Sequence, residues 1–262
     1  MYSRIWSCVR SISTHSTLDP RQLKPFNELS KIWWDSEGVM KPLHAMNGVR
    51  IPWIQNRLKD IGAVNRIANP QTPLAGLSIL DVGCGGGIVS EPLSELGANV
   101  TGLDCNTEML NIAKAHGLNK KLHNLRYLHS TVEEHVINNR EKYDVVVASE
   151  TIEHVQEQDV FIKCCVECLK PGGSMFITTN SKSRLSEFLF ITLLEDILRH
   201  VPKGTHEYSM FIDVEDLKKR LQKENCVILY TSGMVYNPLK SKWKLIKNHY
   251  ILHYVLHAVK LK

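Results

Sequence analysis

Two groups of residues in this 262-residue chain have the types and spacing to do chemistry. The first runs Ile79-Leu80-Asp81-Val82-Gly83-Cys84-Gly85-Gly86-Gly87 and closes at Val100-Thr101-Gly102-Leu103-Asp104. It reads as an apolar strand, a glycine-rich turn, a helix, and a second strand ending in an acid. That is the layout of a nucleotide-type site on an open α/β sheet. Glycine admits a ligand where a Cβ would clash, and an acid ending the second strand can accept hydrogen bonds from both ribose hydroxyls. The plainer reading is a tight turn with no ligand. The second group is Glu150, Glu153 and His154. If the chain turns helical there, the i, i+3, i+4 spacing puts all three on one face, at the carboxyl end of the sheet where such folds bind ligands. Two carboxylates and an imidazole can hold a divalent cation. Mg²⁺ takes one or two carboxylates and keeps waters; histidine is an unusual ligand for it, so Zn²⁺ or Mn²⁺ fits the spacing too. In a metal-free pocket the histidine would act as a base or simply line the wall.

The glycine spacing separates cofactor classes. A dinucleotide fingerprint G-x-G-x-x-G begun at Gly83 needs glycine at position 88, which is Ile88; begun at Gly85 it needs one at 90, which is Ser90. The actual spacing is G-x-G-x-G, with Asp81 just before it. This resembles motif I of class I S-adenosylmethionine-dependent methyltransferases, whose cofactor carries a methionine tail and a sulfonium in place of a pyrophosphate. A nicotinamide oxidoreductase is disfavoured.

The elements that must position these groups follow from periodicity. Strands are expected at 78–82, 98–103, 124–128, 143–148 and 174–178, with helices at 87–96, 107–116 and 156–169 between them. Tyr143 to Ala148 is a near-continuous apolar run of the kind buried on both faces. Lys170-Pro171-Gly172-Gly173 is a stop-and-turn signal. Alternating strands and helices imply a mostly parallel sheet with helices on both faces and right-handed crossovers, a Rossmann-like α/β fold. Residues 26–66 are expected to be helical, with Trp33 and Trp34 as anchors. Residues 19–262 are then one domain, with a helical cap over 19–75 and an insertion over 181–206. Within that insertion, Phe190, Leu194, Ile197, Leu198 and Val201 recur at helical spacing. A membrane-touching lid and a core helix both fit this pattern.

Composition is that of an ordinary globule, 43% hydrophobic and 23% charged, with a formal net charge of +5. The basic series Lys240, Lys242, Lys244, Lys247, Lys260 and Lys262 would favour anionic lipid and is weak support for nucleic acid. Residues 1–18 hold Arg4, Arg10 and many Ser and Thr but no acid, which suits a mitochondrial transit peptide. Seven cysteines with one lone C-x-x-C, Cys165 to Cys168, read as reduced packing thiols.

Four further segments narrow the family. They are Trp33-Trp34-Asp35 with Lys41-Pro42-Leu43-His44, Asn47 and Arg50; Thr131-Val132-Glu133-Glu134-His135; Glu150-Thr151-Ile152-Glu153-His154-Val155; and Val201-Pro202-Lys203-Gly204-Thr205-His206. With the glycine motif, this set closely resembles the ubiquinone-biosynthesis O-methyltransferases in their mitochondrial form, from about residue 26 onward. The resemblance implies methylation of catechol hydroxyls on polyprenylated benzenoids, with S-adenosylmethionine as donor and Mg²⁺ or another divalent ion assisting. It implies Arg50 on the methionine carboxylate, with Gly83, Gly85 and Gly87 under the methionine part. Asp104 would hold the ribose, Val132 the adenine, and Ser149 would touch the cofactor. Glu150, Glu153 and His154 would be catalytic residues and metal ligands. It further implies a peripheral location on the matrix side of the mitochondrial inner membrane, a membrane-facing 185–201 segment, and other ubiquinone-biosynthesis proteins as partners, with no nucleic acid. The alternatives are a methyltransferase of another acceptor and a non-catalytic scaffold on the same fold.

Overall fold

The computed structural model describes residues 27–64, 69–183 and 210–262. Eight strands form one sheet in the order β3-β2-β1-β4-β5-β8-β6-β7. They are β1 (Ser78–Val82), β2 (Asn99–Asp104), β3 (Leu125–His129), β4 (Tyr143–Ser149), β5 (Leu169–Asn180), β6 (Cys226–Asn237), β7 (Lys242–Ile246) and β8 (His253–Lys260). The first five run parallel. β8 pairs antiparallel with both β5 and β6, and β6 and β7 form an antiparallel hairpin at the edge. The helices are α1 (Lys41–Asp60), α2 (Ser90–Glu95), α3 (Thr107–Asn119), α4 (Val132–Val136), α5 (Gln158–Cys168) and α6 (Val214–Lys223). None of the described helices is long and apolar enough to cross a membrane.

The period-two geometry of a strand explains why the central run is apolar throughout. Val146 and Ala148 of β4 join the core beneath α5, with Phe161 and Cys165. Val145 and Val147 face the other way, onto Trp53, Ile54 and Leu58 of α1. Both faces are thus buried, and the carboxyl ends of β1, β2 and β4 are held in fixed register. The described cysteines, including Cys165 and Cys168, are free thiols.

Several expectations are corrected. The helical segment expected over 26–66 is helical but interrupted: residues 27–29 are helical, Ser30–Ile32 forms a 3-10 turn, and α1 begins only at Lys41. The helix ends before Lys170 to Gly173 as expected, but β5 already begins at Leu169, and the register jumps from Tyr143↔Leu169 to Val145↔Ser174, so these residues bulge within the strand. Residues 150–154 do not make an α-helix but a 3-10 turn at Ile152–His154. The transit peptide expected over 1–18 and most of the insertion expected over 181–206 lie outside the described residues.

Candidate active site

A cavity of about 420 Å³ opens at the carboxyl ends of β1, β2 and β4. The glycine turn leads into it with Gly83 and Gly85 in the left-handed region, φ 71° and 52°. A Cβ at Gly83 would overlap the Thr151 side chain, and one at Gly86 would overlap the Trp33 ring. The space these glycines leave is therefore taken largely by the protein's own side chains. Thr151 is fixed there by donating to the carbonyls of Val82 (3.0 Å) and Ser149 (3.1 Å). Gly83 and Gly85 still line the cavity, but Gly87 does not. Its φ of 91° sets it against Tyr127, whose hydroxyl occupies the place of a Cβ.

Asp104 ends β2 on the cavity wall. Its Oδ2 accepts from the amide of Gly85 (2.7 Å) and its Oδ1 from that of Asn106 (2.8 Å). Burial pushes its carboxyl up, and these amides pull it back down. The residue clamps the glycine turn to β2, and each oxygen keeps a lone pair for a further donor. Val132 is buried on the wall at the start of α4, whose first turn is closed by a capping box between Thr131 and Glu134.

Arg50 is only 1% exposed and lies in the middle of α1. Its Nη1 donates to Ser149 Oγ at 2.5 Å, and Nε and Nη2 both donate to Asn47 Oδ1. Burial lowers its pKa to about 10, while the charges of Glu150 and Asp81 support the cation. It forms no direct ion pair with a described residue. A buried guanidinium in that state is matched to a ligand carboxylate. Asp81, behind the turn, is raised to about 6 by burial, against the hydrogen bond from Ser90 and the charge of Arg50.

Glu150 departs from the helical path with φ 54°, a conformation costing about 1–3 kcal/mol for a non-glycine residue. Its Oε1 accepts from Thr178 Oγ1 and its Oε2 lies on His253 Nε2, each at 2.7 Å. Burial would raise this carboxyl, but His253, Thr178 and Arg50 hold it down at about 2. Glu153 is 1% exposed and accepts from Thr179 Oγ1 (2.8 Å) and Asn180 Nδ2 (3.3 Å). Burial, then the charge of Glu150, pushes its carboxyl well above the usual range. Glu150, Glu153 and His154 all reach the cavity wall. However, no three His, Cys, Asp or Glu side chains among the described residues converge as metal ligands. The carboxylates are turned onto β5 and β8, so the common helical face is not formed and the side chains as they stand do not fit an ion.

Residues 80–177 match the methyltransferase domain family. The chain is 42% identical to the mitochondrial ubiquinone biosynthesis O-methyltransferase of Rattus norvegicus over 95% of its own length and 72% of that protein. It is 35% identical to the ubiquinone biosynthesis O-methyltransferase of Proteus mirabilis over 93% and 95% of the two chains. The chain belongs to the ubiquinone biosynthesis O-methyltransferase family. The magnesium protoporphyrin IX methyltransferase of Synechocystis, solved with bound S-adenosylhomocysteine, superposes with a TM-score of 0.60 at 19% identity. It covers 90% of this chain and 93% of its own, and shares the fold.

As a member of this family, the protein is an S-adenosylmethionine-dependent O-methyltransferase of Rossmann-like class I fold. The cavity brings together nine of the ten residues expected from the sequence: Arg50, Gly83, Gly85, Asp104, Val132, Ser149, Glu150, Glu153 and His154. It leaves out Gly87. Sequence reasoning missed Trp33 as the cover of Gly86, and missed Asn180, Trp243 and His253 on the wall. Asn47 could have been found, because it stands one helical turn before Arg50 on the same face. Nothing local marks His253, which arrives by pairing with Asn180 across β5 and β8.

Proposed function

We propose that this chain methylates catechol-type hydroxyls of polyprenylated benzenoid intermediates in ubiquinone biosynthesis, in the mitochondrion and at the matrix face of the inner membrane. The observation that carries the reading is the near full-length similarity to ubiquinone biosynthesis O-methyltransferases from both mitochondria and bacteria. The apolar wall made by Leu29, Val39, Met40, Pro42, Leu43 and Trp243 supports it, since a prenylated ring needs such a surface.

S-adenosylmethionine, when bound, supplies a methyl group that an acceptor oxygen displaces in line from sulfur. Arg50 is suited to its carboxylate, Asp104 to its ribose and Val132 to its adenine. Ser149 keeps Arg50 in place from the end of β4. A neutral phenol is a poor nucleophile, with a pKa of about 10. His154, on the cavity wall, is suited to take the phenolic proton as general base.

A second form of the reading places Mg²⁺ or another divalent ion on Glu150, Glu153 and His154. It is favoured by the two carboxylates sharing one end of the cavity and by the repulsion that lifts Glu153. An ion there requires Glu150 to leave His253 and would offset the burial and repulsion that push Glu153 up. Other ubiquinone-biosynthesis proteins are the expected partners.

The test is labelled methyl transfer from S-adenosylmethionine to a short-prenyl dihydroxybenzoate, with EDTA and then with Mg²⁺ restored. Transfer supports the acceptor class, and its absence despite cofactor binding overturns it. Loss with EDTA and recovery with Mg²⁺ selects the metal form; indifference selects the histidine base.

A further inference from the structure

We infer that Thr178 is a positioning residue that couples the cofactor end of the cavity to its acceptor end, through a one-way chain of hydrogen bonds from Arg50 to Glu150. The inference rests on the proposed acceptor, whose hydroxyls meet the Glu150 end.

Four side chains form the chain. Arg50 Nη1 donates to Ser149 Oγ at 2.5 Å. Ser149 Oγ lies 2.6 Å from Thr178 Oγ1. Thr178 Oγ1 donates to Glu150 Oε1 at 2.7 Å. The direction of the middle link follows from counting protons. A hydroxyl has one proton to give, and a carboxylate only accepts. Thr178 gives its proton to Glu150, so it accepts from Ser149. Ser149 gives its own to Thr178, so it accepts from Arg50. Every link therefore points from the cation to the anion. Arg50, Ser149 and Thr178 are all buried, where hydrogen bonds are electrostatically stronger than in water.

The sheet builds this arrangement. Ser149 and Thr178 are register partners in the parallel pair of β4 and β5, which sets both hydroxyls on one face. The amide of Glu150 also donates to the carbonyl of Thr178 at 2.9 Å. Thr178 thus holds Glu150 by main chain and side chain at the point where β4 ends. Arg50, Ser149 and Glu150 line the cavity, and Thr178 stands behind them. It acts through its neighbours and not on a ligand.

Hydrogen bonds in series polarise one another, so a change at one end is felt at the other. A cofactor carboxylate on Arg50 weakens the donation of the guanidinium to Ser149. An acceptor hydroxyl donating to Glu150 weakens the draw of the carboxylate on Thr178. The two ligands relax the same chain from opposite ends, so each eases the binding of the other. The coupling is positive and, by linkage, reciprocal.

A buried threonine hydroxyl with partners on both sides can also serve stability alone. The experiment separates the two roles. S-adenosylhomocysteine affinity of the full chain is measured by titration calorimetry, with and without saturating short-prenyl dihydroxybenzoate, in the Mg²⁺-containing buffer used for methyl transfer. The ratio of the two affinities is the readout. In the wild type the acceptor is expected to tighten S-adenosylhomocysteine binding by about fivefold or more. Thr178→Val keeps the β-branched shape without the hydroxyl, and its ratio falls to unity. Thr178→Ser keeps the hydroxyl and the ratio. Ser149→Ala breaks the chain one link earlier and gives the same loss, which preserves the test if Thr178→Val does not fold. A wild-type ratio of unity overturns the inference. So does a Thr178→Val protein that is less stable in urea yet keeps the wild-type ratio, and so does a Thr178→Ser protein that loses it. A wild type that binds S-adenosylhomocysteine but never methylates the short-prenyl acceptor sinks the acceptor reading beneath the inference instead.

Discussion

His253 Nε2 lies 2.7 Å from Glu150 Oε2, joining the antiparallel end of the sheet to the residue that leaves β4. The contact makes β8 part of the site, although it lies more than a hundred residues along the chain. A buried hydrogen bond to a charged group contributes about 1.5–3 kcal/mol. We expect His253→Ala to lower stability by about that amount, and His253→Asn, which retains a donor, to lose less. A double-mutant cycle with Glu150→Gln should give a coupling energy above about 1 kcal/mol. Additive effects in urea unfolding would mean that the contact does not form in solution.

Asp81 gives stability a pH dependence of defined sign. Its folded pKa is raised from the model-compound value of 3.8 to about 6, first by burial. The folded state therefore holds the proton more tightly than the unfolded chain. Stability falls as pH rises from about 4 through about 6, by about 3 kcal/mol for a shift of this size. Glu150 has the opposite sign: its folded pKa is depressed, so its contribution is present above the unfolded value and fades as pH falls toward about 2. Asp81→Asn keeps an acceptor for Ser90 and removes the ionisation. Urea unfolding at several values across the window should show a flatter profile for this variant, which gains on the wild type at neutral pH. Parallel profiles would refute the assignment.

Gly87 is required for packing rather than for ligand approach. Its φ is 91°, and a Cβ would overlap the Tyr127 hydroxyl. Gly87→Ala should destabilise by about 2–4 kcal/mol from strain and clash together. Adding Tyr127→Phe removes the nearest atom and should recover part of that loss, leaving the backbone strain. A double variant no more stable than Gly87→Ala alone would place the whole effect in the backbone.

Arg50 combines burial with three donated hydrogen bonds to Ser149 and Asn47. Lysine keeps the charge but cannot span both partners. Arg50→Lys should weaken S-adenosylhomocysteine binding by about tenfold to a hundredfold, the range of one or two charge-assisted hydrogen bonds. Titration calorimetry measures this directly. Unchanged affinity in a folded Arg50→Lys protein would remove Arg50 from the carboxylate site.

What the sequence made legible is what short-range rules govern. β1, β2, β4 and the glycine turn follow from apolar runs and turn residues, and their register then sets Asp81 and Asp104. The Glu150 segment was legible as a neighbourhood but not as an arrangement. Helical spacing assumes helical dihedrals, and Glu150 takes φ 54° because His253 and Thr178 hold its carboxylate from β8 and β5. The fillers of the glycine turn were likewise invisible. Trp33, Thr151 and Tyr127 each come from a different part of the chain, and no local pattern records that they meet there.

The same long-range contacts make the two carboxylates unequal. Glu150 is held toward its charged form beside His253 and Arg50, whereas Glu153 is pushed toward its neutral form by burial and by the charge of Glu150. A neutral carboxyl is mimicked by an amide; a paired carboxylate is not. Glu153→Gln should therefore retain methyl transfer to within about tenfold, while Glu150→Gln should lose more than about a hundredfold in kcat/KM, the scale of about 3 kcal/mol for a lost charged interaction. Direct metal ligation predicts another pattern, because each lost ligand weakens the ion. Both variants would then fall together, and both would lose any stimulation by Mg²⁺. Measuring kcat/KM for the two variants with EDTA and with Mg²⁺ distinguishes these patterns. An equal, metal-linked loss would mean that the binding of an ion breaks the Glu150–His253 contact and draws both carboxylates into its ligand set.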